Sequence, residues 1–267
     1  MSVISTVKRE LLTRHLRTWA EGALRRARRV TYVHGYADDD GGAAAEAAVR
    51  VLAELPDLAR GRELSMVAVG RDMAEAGKRL AAVRAGFPVL PIGGGTGERL
   101  AVALTAAGAS RVPLLGYLDA SAASEPPTPA TAGALTIGRP AEALLVLPPG
   151  TTFLPPGFPL VTSAELANGE VVVFATSSGK SLEAFKETLW AADPDRRVDD
   201  EALRRDLLAR LEEEGAATVT ALRTFVLTET VYRAADATRV LYALIDEGTV
   251  TRAPAHGRLG GDVTIGL

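Results

Sequence analysis

The stretch YVHGYADDDGG, residues 32–42, contains several side chains that could act in catalysis or bind a ligand. His34 stands near the end of an apolar run, where catalytic groups collect in α/β domains, so a general base is one interpretation. Because no partner for its imidazole is evident, we favour a hydrogen-bonded structural histidine. Asp38, Asp39 and Asp40 carry enough carboxylates to bind Mg²⁺. Three adjacent residues need not converge on one ion, and Asp before Gly is common turn chemistry, so a solvated turn is favoured.

Two other segments contain parts of phosphate-binding motifs. GGGTG, residues 93–97, lies between an apolar run and a helical pattern, so its backbone amides could cradle a phosphate. It lacks the lysine of a P-loop and the spacing of a dinucleotide fingerprint, and we favour a tight strand-to-helix turn. TSSGKS, residues 176–181, ends like a P-loop, but the glycine required five positions before its GKS is replaced by Phe174. We therefore expect Ser177 or Ser178 to cap a helix.

Composition excludes several kinds of site and partner. The 267 residues include no cysteine, which excludes disulfides, thiolate metal ligands and a cysteine nucleophile. His15, His34 and His256 are the three histidines and are far apart in sequence, so we predict no metal cofactor. A net charge of -3 gives no overall attraction to nucleic acid or to an anionic membrane.

The sequence also lacks the usual signals for export or membrane insertion. Lys8, Arg9 and Glu10 interrupt the apolar residues of the N-terminus, so we predict no signal peptide. No stretch approaches the roughly 20 uncharged apolar residues that span a bilayer. We therefore expect a soluble cytoplasmic protein. Arginine far outnumbers lysine, and this usage is typical of a high-GC genome and predicts an actinobacterial source.

The elements that must position these residues alternate in type along residues 1–195. Residues 5–28 have helical apolar spacing and predict an amphipathic opening helix. Short apolar runs and helical patterns then alternate, as a parallel sheet covered on both faces requires. The runs are VTYVHGY, LSMVAVG, FPVLPI, VPLLGYLD, EALLVLP and EVVVFAT, and the helical patterns cover 43–59, 72–85, 98–107 and 181–191. We predict a Rossmann-like, doubly wound α/β domain.

Two Pro-rich segments follow predicted strands. They cover residues 121–136 and 148–159, and consist mainly of small or apolar residues with little charge. Both lie on the side of the sheet where ligands enter this class of fold. They are interpreted either as substrate loops or as plain linkers.

A second domain, residues 196–267, is predicted after the change of composition at DPDRRVDDE. Three helical patterns precede a tail with two short strands around a basic turn, the order of parts in a winged helix. The helical patterns cover 199–214, 218–228 and 234–247. Arg239, Arg252 and Arg258 are candidate phosphate contacts. Acidic residues nearby dilute the charge of these arginines, and winged helices also dock proteins or dimerise. Three kinds of partner are therefore open: nucleic acid, another protein, or a second copy of the chain.

A resemblance rests on four parts of the sequence: the opening helix with Lys8, Leu11 and Trp19, the run TYVHGYA, GYLDAS, and residues 171–194. The family that they resemble is the three-Cys-motif partner proteins. The resemblance begins in the opening helix and in TYVHGYA, which are similar to the family's first helix and strand. Residues 171–194 are similar to a later strand and helix, and GYLDAS, residues 116–121, stands where the family has Phe-Leu-Asp-Pro-Phe-Gly. The matching residues of the opening helix are Lys8, Leu11, Leu12, Leu16 and Trp19. The C-terminal pattern is similar too, so the resemblance spans most of the chain.

The resemblance implies a fold like that of S-adenosylmethionine (SAM) methyltransferases, with a SAM pocket at the ends of the first, second and fourth strands. His34 replaces the family's first-strand acid, and the acid expected after the second strand falls at Gly70. The family's Gly-Pro-Gly turn is replaced by residues 38–40, whose carboxylates would repel the SAM carboxylate. The candidate cofactor contacts are therefore His34, Gly35, Asp72, which is two residues beyond Gly70, and Asp119, which is retained.

These departures set two main hypotheses. The first is a diverged family member with a degenerate SAM site, a pseudoenzyme acting as a non-catalytic binding or accessory subunit that contacts protein or nucleic acid. The alternative is an active SAM-dependent methyltransferase with an atypical pocket, with Asp119 or His34 near the transferred methyl group. A DNA-binding regulator is a third interpretation.

Overall fold

The chain forms two compact units, Met1–Thr188 and Leu189–Leu267. The computed structural model describes residues 3–193 and 196–267. The predicted domain boundary lies between residues 195 and 196, directly after residues 194 and 195, which are outside the described residues. Each unit has a hydrophobic core of its own.

The first unit is built on a seven-stranded, mostly parallel sheet. Its strands are β1 Arg29–Gly35, β2 Glu63–Val69, β3 Val89–Ile92, β4 Leu114–Asp119, β5 Ala141–Leu147, β6 Leu160–Glu165 and β7 Val171–Thr176. Their order is β3-β2-β1-β4-β5-β7-β6, with β7 antiparallel to both of its neighbours. The order reverses between β1 and β4, as in a doubly wound fold. This is a Rossmann-like, doubly wound α/β fold.

Helices connect the parallel strands and cover the sheet. They are α1 Val3–Arg26, α2 Ala43–Ala53, α3 Ala74–Ala81, α4 Thr96–Ala106, α5 Pro129–Gly133 and α6 Gly179–Ala192, with 3-10 turns at Leu58–Arg60 and Ala134–Ile137. α1 packs against α2 and α2 against α3, while α4 packs against α5. The central strands are buried almost throughout because helices lie over them; every residue of β5 is buried.

The sequence patterns locate most elements of this unit within a few residues. Two elements differ from the prediction. α5 lies inside the Pro-rich segment 121–136, where Thr128 caps it and Pro129 occupies its first turn. β6 was not predicted because it is a short strand at the sheet edge, directly after a Pro-rich segment, and only part of its length alternates buried and exposed residues.

The second unit combines three helices with a small antiparallel sheet. Its elements in chain order are α7 Asp200–Glu214, β8 Ala216–Thr218, α8 Val219–Glu229, α9 Ala234–Asp246, β9 Thr251–Ala253 and β10 Thr264–Gly266. The sheet order is β8-β10-β9. Side-chain caps start two of the helices: Asp199 accepts from the Ala202 amide and Thr218 from the Ala221 amide. The predicted helices are present, and β8 is an additional strand.

Among the described residues, no helix combines the length and the apolar composition needed to cross a lipid bilayer.

Candidate functional site

Two residues define the turn after β1: one is tightly packed, and the other has a left-handed backbone. Gly35 has no room for a side chain: a Cβ would lie 2.5 Å from Leu118 Cδ2 and 2.8 Å from Thr96 Cγ2. Tyr36 has a left-handed backbone, with φ of 56°, and its amide donates to Thr96 Oγ1 at 2.8 Å. Gly35 therefore permits close packing of β1 against β4 and α4.

Asp40 caps the helix that follows this turn. Its Oδ1 accepts from the amides of Gly42 and Ala43 at 3.0 and 2.9 Å, and its Oδ2 accepts from Ala44 at 2.8 Å. The first amides of a helix have no partner within the helix and attract anions. At α2, that anion is a carboxylate of the protein itself.

Asp38 extends from the same turn over the end of β2. Its Oδ2 accepts from the Asp72 amide at 2.7 Å. A Cβ built on Gly70 would lie only 2.1 Å from Asp38 Oδ1, so the Asp38 carboxylate occupies the space of a side chain at position 70. An acid is thus present at the end of β2, but it comes from the β1 turn. Sequence reasoning missed this because it depends on the crossing of two loops.

His34 lies inside the unit. It is 2% exposed, and its Nδ1 is 2.9 Å from the Tyr32 hydroxyl, with the Tyr117 ring 5.0 Å away. Burial lowers the pKa of His34 to about 4, against the opposing effect of Asp40 and Asp119. The imidazole is therefore neutral at pH 7. This is the hydrogen-bonded structural environment favoured from the sequence.

Asp119 ends β4 within a cluster of polar side chains. Lys8 Nζ lies 3.3 Å from Asp119 Oδ2 and 3.2 Å from Glu170 Oε2, which brings α1 to the end of the sheet. Ser121 Oγ donates to Asp119 Oδ1 at 2.6 Å, and the Tyr117 hydroxyl donates to Oδ2 at 3.2 Å. Both carboxylate oxygens of Asp119 therefore have protein partners.

A cavity of about 430 Å³ opens at the carboxyl ends of the parallel strands. This is where ligands bind in doubly wound sheets. Loops after four strands line it: the β1 turn, Arg71 after β2, the GGGTG loop after β3, and the Pro-rich segment after β4. The lining residues are Tyr36, Asp38, Asp39, Arg71, Gly94, Gly95, Thr96, Gly97, Glu98, Ala123, Ser124, Glu125, Pro126, Thr128 and Thr131.

The GGGTG loop makes one wall of the cavity as a tight strand-to-helix turn. Gly94 and Gly95 have φ of 108° and 88°, a backbone region that favours glycine, and the Gly95 amide donates to the Gly70 carbonyl at 3.0 Å. α4 then begins at Thr96, whose hydroxyl donates to the Val69 carbonyl at 3.2 Å. The turn interpretation of the sequence is confirmed, and the turn also borders the cavity.

Charge in the cavity is mostly negative. Arg71 is a cation of the lining, 3.3 Å from Glu125, whereas Asp38, Asp39 and Glu98 add carboxylates. Burial and the neighbouring Asp38 raise the pKa of Asp39, with smaller contributions from Asp119 and Asp40. The crowding of carboxylates therefore disfavours an anionic ligand group beside the β1 turn.

The four residues predicted as cofactor contacts are not brought together in this cavity. His34 and Gly35 are buried, Asp119 is held by Lys8 and Ser121, and Asp72 Oδ1 accepts from the Ala74 amide at 3.0 Å, at the start of α3. None of them is among the cavity-lining residues. The residues that do line the cavity are other residues of the same loops, beyond the ends of the strands, where no strand pattern marks them.

Two of the three predicted contacts of the second unit, Arg239 and Arg252, have partners of their own. The Arg239 guanidinium is paired with Asp200 and, at 3.4 Å, with Asp236. Arg252 donates to three backbone carbonyls of the β9–β10 turn, those of Pro254, Gly257 and Arg258. The side chain of Arg258 is exposed in that turn.

The TSSGKS segment begins α6 and acts as a cap. Ser178 Oγ accepts from the Ser181 amide at 3.2 Å, as expected from the sequence. Within residues 3–193 and 196–267, no group of three or more His, Cys, Asp or Glu side chains has the geometry to hold a metal ion.

Comparisons with known proteins add little to this geometry. No protein-family model matches the sequence, and no curated protein matches it. Among solved structures, the chain is similar to the pyocyanin biosynthetic protein PhzM, at 12% identity and a TM-score of 0.33. The match covers 56% of this chain and 50% of PhzM, so it spans about half of that protein. A similarity this weak supports neither a function nor a family. The likeness to methyltransferases and the membership of the three-Cys-motif partner family therefore stay predictions.

Proposed function

We propose that this protein is a methyltransferase-like binding subunit with a degenerate SAM site, and that it acts by contacting a partner rather than by transferring a methyl group. The observation that carries this proposal is the position of Asp40. Its carboxylate accepts hydrogen bonds from three successive amides at the start of α2. A cofactor carboxylate placed at the β1 turn would need such amides, and here a side chain of the chain itself already uses them.

The remaining groups fit SAM poorly as well. Asp38 and Asp39 line the cavity beside this turn, and two unit charges about 4 Å apart repel by roughly 4 kcal/mol near a protein surface. The retained Asp119 points into the Lys8 and Ser121 cluster and is not a lining residue. We therefore assign no reaction step to SAM in this site.

A calorimetric titration of the full chain with SAM and with S-adenosylhomocysteine tests this proposal. We expect no saturable heat at micromolar concentrations of either ligand, and no S-adenosyl compound released on denaturation, by mass spectrometry. Micromolar binding of SAM would contradict the degenerate site. A supporting control is Asp40→Gly, which frees the α2 amides: weak binding that emerges only in this variant would identify Asp40 as the blocking group.

One observation favours the alternative, an active methyltransferase with an atypical pocket. The Asp38 carboxylate stands over Gly70, at the end of β2, where the family resemblance implies an acid that holds ribose hydroxyls. If this alternative holds, SAM binds at micromolar concentration. Asp38→Ala should then raise the dissociation constant of SAM at least about tenfold, a loss of roughly 1.4 kcal/mol, and Asp72→Ala should leave it unchanged.

We propose further that the second unit is a winged-helix-like domain that contacts a protein. Support comes from the element order α7-β8-α8-α9-β9-β10 and from the internal partners of Arg239 and Arg252, which leave fewer cations for phosphates. Fluorescence anisotropy with labelled duplex DNA and single-stranded RNA tests the choice. We expect no binding that falls steeply with salt. Salt-dependent binding that weakens in Arg258→Gln would assign a nucleic-acid partner instead.

A further inference from the structure

A second cavity opens within the first unit, at the end of the large sheet opposite to the carboxyl ends of its parallel strands. Its volume is about 460 Å³, and it lies where β5 begins, between α1 and the start of α6. The residues used in the argument below are His15, Arg25, Arg26, Glu142, Lys180 and Ser181, all of which line it. None of them belongs to the cavity at the carboxyl ends of the strands.

His15 is buried in this cavity without hydrogen-bond partners. It is 2% exposed, and neither Nδ1 nor Nε2 has a partner. Glu142 Oε2 lies 3.8 Å from Nε2, beyond hydrogen-bonding distance, and the Phe174 and Phe185 rings approach edge-on with centroids at 4.9 and 5.6 Å. A buried polar group without a partner is costly, and a polar ligand in the cavity would remove that cost.

The cavity floor can both donate and accept hydrogen bonds. Burial lowers the pKa of His15 to about 4, so at neutral pH the ring carries one N–H donor and one acceptor. Glu142 is 3% exposed; Ser181 Oγ donates to its Oε1 at 2.6 Å. Burial raises the pKa of Glu142, against the opposing effects of the Ser181 hydrogen bond and of Arg26. A hydroxyl-bearing ligand matches this pair of groups.

The rim of the cavity is positively charged. Arg25, Arg26 and Lys180 are exposed, and the charge of Arg26 also acts on the Glu142 carboxyl. The first turn of α6, a helix of 14 residues, contributes Lys180 and Ser181. The Ser181 amide is capped by Ser178 Oγ, which leaves the amides of Gly179 and Lys180 without a helical partner. Cations and helix amides together select anions, phosphate above all.

We propose that this cavity binds a small hydroxylated phosphomonoester, with its phosphate at Arg25, Arg26, Lys180 and the first turn of α6, and with a hydroxyl group at His15 and Glu142. The site is independent of the proposed loss of SAM binding, because no residue is shared between the two cavities. The TSSGKS segment, which is not a P-loop, would then take part in phosphate binding through a different geometry.

Titrations with inorganic phosphate and with ribose 5-phosphate test the proposal, with chloride at equal ionic strength as the reference anion. We expect saturable one-to-one binding by calorimetry, tighter for ribose 5-phosphate than for phosphate. In Arg25→Gln/Lys180→Gln, both dissociation constants should rise at least about tenfold because two charge-assisted contacts are removed. Both substitutions are at exposed positions, so the variant should keep the wild-type circular dichroism spectrum and melting temperature.

The matched control is Arg84→Gln, which removes an exposed cation outside the cavity and should leave both dissociation constants unchanged. Imidazole ¹H–¹⁵N spectra give a direct readout, because the chain has three histidines. Ribose 5-phosphate should shift the His15 signals, assigned with His15→Phe, and leave those of His34 and His256 in place. Binding no stronger than that of chloride, equal weakening by Arg84→Gln, or an unmoved His15 signal would each overturn the proposal.

Discussion

At the scale of single residues, the three adjacent aspartates after β1 have three different environments. Asp40 accepts hydrogen bonds from three amides at the start of α2. Asp38 accepts a hydrogen bond from the Asp72 amide across the end of β2, and Asp39 is exposed. Identical side chains at successive positions thus differ because the turn directs each of them to a different neighbour. The sequence interpretation of this stretch as turn chemistry holds for Asp40 in particular.

The cap at Asp40 predicts a clear difference between neighbouring substitutions. Asp40→Ala should lower the free energy of unfolding by about 1–2 kcal/mol, because amides at the start of α2 lose their acceptor. Asp39→Ala is the matched control and should be neutral within about 0.5 kcal/mol, since that site is exposed. Urea denaturation of both variants measures the difference. Equal effects would contradict the role of Asp40 as the cap.

Burial of His15 predicts a pH dependence of stability. Its pKa is lowered from 6.5 to about 4 in the folded protein, so between these values the unfolded chain binds the proton more readily. Stability therefore falls as pH drops from about 6.5 to about 4, by about 3 kcal/mol for one such histidine. Buried His34 shifts in the same direction.

His15→Phe should reduce this slope, because it places an apolar ring beside Phe174 and Phe185 and removes the titrating group. We expect the loss of unfolding free energy between pH 7 and pH 4 to shrink by about 3 kcal/mol relative to the wild type. His256→Gln, at an exposed position, is the control and should retain the wild-type slope. Denaturant titrations at a series of pH values provide the measurement, and an unchanged slope in His15→Phe would argue against the burial effect.

At the scale of elements, the start of α2 is also where α3 packs. Gly42 has φ of 85°, and a Cβ there would lie 2.8 Å from Ala76 Cβ and 2.9 Å from Ala76 Cα. Gly41 has φ of 68°, but a Cβ on it would meet open space. A side chain at position 41 would therefore meet backbone strain alone, whereas a side chain at position 42 would meet both backbone strain and a steric contact.

Replacing each glycine by alanine should give unequal effects. Gly41→Ala should cost about 1–2 kcal/mol, from the left-handed backbone alone. Gly42→Ala should cost about 2–5 kcal/mol, because the contact with α3 adds to the same strain. Thermal and urea denaturation compare the two. A Gly41→Ala variant as unstable as Gly42→Ala would show that packing of α2 on α3 does not depend on this close approach.

At the scale of the whole molecule, two separate cores predict two stability responses. Leu207 is fully buried in the core of the second unit, and Leu104 in the core of the first. Each substitution by alanine should cost about 2–5 kcal/mol in its own unit. In hydrogen exchange followed by mass spectrometry, Leu207→Ala should speed exchange in α7–α9 and leave β1–β5 protected, while Leu104→Ala does the reverse. Faster exchange throughout both units in either variant would contradict separate cores.

The alternation of strands and helices could be read from the amino-acid sequence, because fully buried parallel strands and amphipathic helices have distinct apolar periods. The sequence also predicted a helix cap at Ser177 or Ser178, which the structure shows at Ser178, and the turn chemistry of the β1 loop. Both depend on neighbours in the chain. Three features depend on the folded chain: Asp38 lies over Gly70, Lys8 pairs with Asp119, and the GGGTG loop borders a cavity. Those contacts join residues tens of positions apart, and no local pattern encodes which loop a side chain will cross.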